Sequence, residues 1–278
     1  MLRYVRIILV VLFCLALIGA AGLYFYVRTH EDTSPPAFRS GTDLLEVSVK
    51  DPEEALLRDL QAYDNVDGDL SARIHVKEIS TLINETDVNV TYIVFDEASN
   101  YATYTRTVRY VDYTPPRFGL TGPMTFNVGD TVNLSGTVTV TDIRDGDISG
   151  RLMLEESTVI NSTPGIYSVK LSATNRMGDT ITLPLSVQIV DNSFTRAKIE
   201  LTDYLIYAKV GETLNFRKYV RGITDPLAEN PEESISVYRV TINSTNLNMA
   251  VPGVYEVYYY YTGISGEIAT VILTVIVE

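Results

Sequence analysis

Two short acidic loops hold the densest groups of potential ligands in the chain. Asp64, Asp67 and Asp69 lie in one, and Asp142, Asp145 and Asp147 in the other. Each loop places its carboxylates around an Asp-Gly-Asp turn. Hard cations such as Ca2+ take several oxygen ligands at about 2.3–2.6 Å, and a loop of this kind suits one. The spacing departs from the EF-hand pattern. The same residues also suit a tight turn, in which Asp accepts backbone N–H groups and Gly takes positive φ. Asp112 and Asp191 stand at joints where they would add ligands if the loops fold toward them.

A second candidate is the run Tyr258-Tyr259-Tyr260-Tyr261. In a strand, alternate residues share a face. Tyr259 and Tyr261 then point into a core, and Tyr258 and Tyr260 share the outer face with Glu256. Two tyrosines on one outer face form a platform for a sugar ring or a protein partner. They equally suit ordinary cross-strand packing.

Enzyme chemistry finds little support in the residues. The two histidines, His30 and His75, have no Cys or second His nearby in sequence. No nucleophile elbow or phosphate-cradling glycine loop occurs. The acid pairs Glu53-Glu54, Glu155-Glu156 and Glu232-Glu233 are adjacent. On a strand such neighbours face opposite ways, so they cannot flank one bond. The sequence is read as non-catalytic.

The elements that must carry these residues repeat. Asp64 to Ser71 returns as Asp142 to Ser149. Val128-Gly129-Asp130-Thr131 returns as Val210-Gly211-Glu212-Thr213, and Pro164-Gly165-Ile166-Tyr167 as Pro252-Gly253-Val254-Tyr255. Three modules follow, at 43–113, 114–192 and 193–278. Each ends in two period-two runs around a turn. In the second module Val169, Leu171 and Ala173 precede a turn at Asn175 to Asp179, and Ile181, Leu183, Leu185, Val187 and Ile189 follow it. That pattern predicts a hairpin. The first module gives the same pattern about Asp96 to Asn100, and the third about Gly263 to Gly266. Short alternating strands with frequent turns predict antiparallel β-sandwiches, joined by short Pro-bearing or polar linkers into an elongated rod. Asp51 to Gln61 is the one stretch that suits a helical turn.

Before the modules, Ile7 to Val27 is an uncharged run of 21 residues. As a helix it spans about 31 Å, one hydrocarbon core. Arg3 and Arg6 precede it and acids follow it, which sets residues 1–6 in the cytoplasm and the modules outside. Residues 7–27 are therefore read as a signal anchor in the cell membrane. A cleaved signal peptide, cut near Ala20-Ala21, is the alternative; the long apolar run argues against it. Residues 28–42, with Pro35-Pro36, are read as an extended tether of up to about 45 Å.

Composition limits the partners. Lys plus Arg is 22 against 35 Asp plus Glu, a net charge of −13. Such a surface repels nucleic acid and suits solubility, divalent cations or basic partners. The one cysteine, Cys14, falls inside the apolar run, so the modules are stabilised without disulfides.

The combination of Asp-x-x-Asp-Gly-Asp, Pro-Gly-x-Tyr-x-Val, a small turn and Val-Asp leading to Pro-Pro resembles the bacterial surface-protein Ig-like domain, a family also found in a pesticidal crystal protein. The resemblance covers 43–278. It is fullest in the second module. The first has Asp87-Val88 where Pro-Gly-x-Tyr is expected, and the third has Ile223-Thr224-Asp225-Pro226 in place of the acidic loop. The resemblance implies a sandwich repeat on a bacterial surface, commonly Gram-positive, serving spacing, adhesion or carbohydrate association. The expected function is an adhesive stalk or spacer. A cell-wall-binding module and an accessory subunit of an envelope assembly are the alternatives. The ligand, a surface glycan or protein, and the oligomeric state are not encoded in any motif.

Overall fold

A computed structural model describes residues 2–191, 195–229 and 235–278. The expected joint at Asn192-Ser193 and the Glu232-Glu233 pair lie outside the described residues. The chain divides into two compact units, 1–111 and 112–278.

The first unit opens with helix α1, Leu2–His30. Its segment Arg3–Tyr26 is long and apolar enough to cross a membrane. Strands follow: β1 Ala37–Ser40, β2 Leu44–Val47, β3 Leu60–Asp64, β4 Gly68–Asp69, β5 His75–Leu82, β6 Asp87–Phe95 and β7 Tyr101–Tyr110. They form two sheets, β1-β3-β4 and β2-β7-β6-β5. The stretch expected to be an extended tether thus supplies β1, whose Phe38 pairs with Ala62. Its ring also stacks on Tyr104, 5.8 Å away. Apolar contact across the two sheets draws this segment into the module. A 3-10 turn at Glu53–Leu57 sits where a helical turn is expected.

The second unit holds the other two modules. In one, β8 Arg117–Leu120, β9 Thr125–Asn127, β10 Val138–Asp142, β11 Gly146–Asp147, β12 Met153–Ser157, β13 Gly165–Thr174 and β14 Thr180–Val190 form the sheets β11-β10-β8 and β12-β13-β14-β9. In the other, β15 Lys198–Leu201, β16 Leu205–Ala208, β17 Val220–Thr224, β18 Thr241–Asn243, β19 Gly253–Thr262 and β20 Ile268–Val277 form β15-β17 and β16-β20-β19-β18. Every four-stranded sheet pairs its short first strand in parallel with its last: β2 with β7, β9 with β14, β16 with β20. The fold is all-β, with small and large sheets packed as sandwiches.

Period-two alternation fixes which face is buried. Val88, Val90, Tyr92 and Val94 are fully excluded from solvent, as are Leu171, Leu183, Val187, Val257, Tyr259, Leu273 and Val275. Burying each such valine or leucine contributes about 1.5–3 kcal/mol. The buried tyrosines bring hydroxyls that need partners. Tyr92 donates to Leu56 O at 2.7 Å and Tyr259 to Phe216 O at 3.0 Å.

The Pro-Gly-x-Tyr motif has a mechanical explanation. Tyr167 folds back and donates to Thr163 O, and Tyr255 does the same to Val251 O. Each ring lies over the glycine two residues before it, where a Cβ would meet ring atoms at 3.4 Å. The first module ties the same corner differently. Asp87 accepts from both Nε and Nη2 of Arg109, at 2.8 and 3.0 Å, and from Asn84 and Thr86. That bidentate pair, with Asn84 next, holds the Asp87 carboxyl far below its usual range.

Within the second unit the two modules touch along their flanks. Arg117 on β8 pairs with Glu278 and lies over the Tyr207 ring at 4.4 Å. The Tyr207 hydroxyl accepts from Phe118 N at 2.8 Å. Leu205, Val254 and Ile276 of the third module pack against the core of the second.

Candidate functional site

In all three modules one aspartate ends or directly follows a strand of the small sheet. These residues are Asp64 on β3, Asp142 on β10 and Asp225 just after β17. All three are buried. A buried carboxylate needs donors, so how each is satisfied is the informative question.

One oxygen is treated alike in each module. Asp64 Oδ1 accepts from Val66 N and Asp67 N at 2.7 and 3.0 Å. Asp142 Oδ1 accepts from Arg144 N and Asp145 N. Asp225 Oδ1 accepts from Leu227 N. The tight turn completes with Gly68 and Gly146 at φ +75 and +71, conformations that side chains resist. The two backbone donors, Asp67 N first, hold the Asp64 carboxyl below its usual value.

The remaining acids of the two loops also have structural partners. Asp67 Oδ2 accepts from Glu97 N, and Asp145 Oδ2 from Arg176 N and Arg151 Nη1. These bonds fasten the loop to the hairpin turn beside it. Asp69 and Asp147 accept from Ser71 N and Ser149 N and are exposed. The three acids of each loop therefore do not converge on one point.

The second oxygen separates the modules. In the second, Asp142 Oδ2 accepts from Asn175 Nδ2 at 2.9 Å. Asn175 Nδ2 also donates to Tyr113 OH, which donates to Asp179 Oδ2 at 2.7 Å. Burial, and then Asp179, push the Tyr113 hydroxyl far above its usual range. In the third, Asp225 Oδ2 accepts from Ile264 N at 2.8 Å. Gly263 lies against it, and a Cβ there would come within 3.2 Å of that oxygen.

In the first module Asp64 Oδ2 is buried and has no hydrogen-bond partner. Facing it are Asp96, at the start of the β6–β7 turn, and Asp32, just after the helix. One carboxylate oxygen from each of the three lies within 4.8 Å of the others. Asp32 Oδ2 is likewise buried and unpartnered. Asn100 braces the group: its N and Nδ2 donate to Asp96, and Nδ2 also reaches Asp32 O at 3.0 Å. Among the described residues, none of the ion pairs brings a lysine or arginine to Asp32, Asp64 or Asp96. At an effective dielectric near 20, each pair of like charges at this spacing repels by about 3 kcal/mol.

Of the acids singled out in the sequence, only Asp64 belongs to this group. Asp32 and Asp96 were missed. The signal was present: Asp32-Thr-Ser-Pro-Pro repeats as Asp112-Tyr-Thr-Pro-Pro, which marks residue 32 as a joint position like Asp112.

Tyr258 and Tyr260 do stack on one face, with centroids 6.2 Å apart and rings 9° from parallel. That face is partly covered. Tyr258 OH donates to Glu256 Oε2 at 2.6 Å, and Glu256 Oε1 accepts from Ser186 N of the second module. Burial, and then Glu256, push the Tyr258 hydroxyl up to about 12. The pair thus backs the contact between modules. Beside that contact runs a groove of about 610 Å³, lined among others by Thr125, Gln188, Glu200 and Arg221. His75 is exposed on β5. Glu155 and Glu156 sit at a bulge, held by Ser172 and Lys170 respectively.

No family model matches the chain. A curated relative, an "Uncharacterized 81.3 kDa protein" of Acholeplasma phage L2, is 26% identical over 138 residues, covering 49% of this chain and 18% of the phage protein. The chain therefore spans less than a fifth of that relative's length. Among solved structures, the CBM51-2 and INT domains of Clostridium perfringens ZmpB match at 25% identity, with 24% of this chain and 15% of that chain covered and a TM-score of 0.23. Drosophila N-cadherin EC1-3 matches at 13% identity, with 85% and 98% covered and a TM-score of 0.32. Mouse cadherin-23 EC22-24 matches at 13% identity, with 88% and 99% covered and a TM-score of 0.20.

Proposed function

We propose that this chain is a non-catalytic, membrane-anchored surface protein whose Ig-like modules act in binding or spacing outside the cell. The observation that carries the reading is the apolar helix Arg3–Tyr26, the one candidate span among the described residues, followed by docked β structure. Arg3 and Arg6 at its start favour a cytoplasmic amino terminus. The modules' loop acids serve mostly as turn caps and clamps, which suits a rigid scaffold. The motifs that resemble the bacterial surface-protein Ig-like family fit the same role.

Fractionation of cells expressing the full chain tests this. The protein is expected to stay with membranes through an alkaline carbonate wash. Protease added outside intact protoplasts is expected to remove residues beyond the helix. Release by carbonate, or a mature amino terminus beginning after Ala21, would replace the anchor with a cleaved signal peptide. Capture from envelope extract by the detergent-purified chain, with glycan and protein pools assayed apart, then decides the class of partner.

A further inference from the structure

We infer that the first module carries a divalent-cation site, built from Asp32, Asp64 and Asp96, of the kind that takes calcium. The inference stands apart from the surface-protein reading. It rests on the unpartnered Asp64 Oδ2, in a residue only 8% exposed, aimed at two further carboxylates within 4.8 Å.

The sister modules show what this position otherwise requires. Where no third acid is present, the second oxygen receives a donor: Asn175 Nδ2 in the second module and Ile264 N in the third. The first module replaces that donor with the Asp96 carboxylate. The β6–β7 turn keeps its shape, because Asp96 N still donates to Asn100 O at 3.0 Å, as Asn175 N does to Asp179 O. The acid and the amide have simply exchanged ends. The result is a group of three acids, Asp32 half-buried, with two buried oxygens and no donor for them, which a cation satisfies and a hydrogen-bond network does not.

The donors select the ion. All are oxygens, with no His or Cys among them, which favours a hard cation over zinc or copper. Calcium accepts irregular oxygen shells completed by carbonyls and water. Magnesium demands a near-octahedral one and gives up its water reluctantly.

The test is calorimetric titration of CaCl2 into the full chain in detergent micelles after EDTA treatment, with MgCl2 and ZnCl2 run in parallel. One saturable calcium site per chain is expected, with magnesium weaker and zinc absent. Asp32→Asn and Asp96→Asn are each expected to weaken binding at least tenfold, and Asp147→Asn to leave it unchanged. Asp32→Asn is the decisive variant, because it keeps a side-chain oxygen for Ser34 N and spares the bonds of Asp64 and Asp96. Circular dichroism confirms that each variant folds. Absence of saturable binding at millimolar calcium, or binding indifferent to Asp32→Asn and Asp96→Asn, overturns the site. A carboxyl among the three that titrates near neutral pH without calcium binding would show a shared proton instead, and also overturns it.

Discussion

The first and second modules share a hairpin, an acidic loop and a buried aspartate, yet they resolve that aspartate in opposite ways. In the second, Asn175, Tyr113 and Asp179 close a network that supplies a donor to Asp142 Oδ2. In the first, Asp96 and Asn100 hold the same turn, but the acid faces inward. The difference is a swap of acid and amide across one turn, with the backbone unchanged. It teaches that a repeat can keep its fold while trading a self-contained hydrogen-bond network for a site that needs an outside ion.

The comparison breaks most severely at Asn175. Asn175→Asp removes the donor to Asp142 Oδ2 and adds a like charge in a buried place, so stability should fall by about 3 kcal/mol. Urea unfolding of the full chain at neutral pH measures it. If added calcium restores the midpoint, the swap alone is enough to build the site. An unchanged midpoint without calcium would show that the network is not what satisfies Asp142.

Tyr113→Phe tests the rest of that network. It leaves Asp179 Oδ2 without its donor at a half-buried position, and a loss of about 1.5 kcal/mol is expected in the same experiment. Asp179→Asn should cost less, since an amide oxygen still accepts from Tyr113.

The modules also differ in their acid sensitivity. Asp87 exists as an ion pair only in the first, and its folded-state value lies far below the ordinary 3.8. A depressed carboxylate contributes its stability above the ordinary value, and that contribution is lost as pH falls through the depressed one. Wild type should therefore lose stability more steeply than Asp87→Asn as pH drops below about 4. Parallel slopes in melts from pH 7 to 2.5 would remove Asp87 from the account.

The smallest effect concerns turn strain. Ser99 has φ +72 where the sister turns place Gly178 and Gly266 at +79 and +82. Ser99→Gly should raise stability by up to about 1 kcal/mol, as the left-handed penalty disappears. A destabilised variant would mean that the serine side chain matters more than its backbone.

Much of this fold was legible because strand alternation and turn chemistry are local. Leu171, Leu183, Tyr259 and Leu273 fall on the buried face that period two assigns, and the three hairpin turns lie where the sequence places them. The site was only half legible. Asp64 stands out through its loop, but Asp32 and Asp96 reach it from segments far away in sequence, and only the sandwich brings them together. Docking of β1 was hidden for a similar reason. Its four residues carry little alternation, and Phe38 finds its partner Tyr104 across the module. Which of the two readings of the outer tyrosines applies was not legible either, because Ser186, which binds Glu256 beside them, comes from the neighbouring module.

Docking of Asp32 and Ser34 on Asn100 leaves almost no slack between the helix and the first module. Glu31 alone separates the helix end at His30 from the docked segment, a reach of at most about 7 Å from His30 to Asp32. A long tether would let the module tumble and would absorb any twist. This short junction instead limits how far the module can swing from the end of the helix. An ion held at Asp32 would stiffen that junction, making ambient calcium a clutch between helix and module.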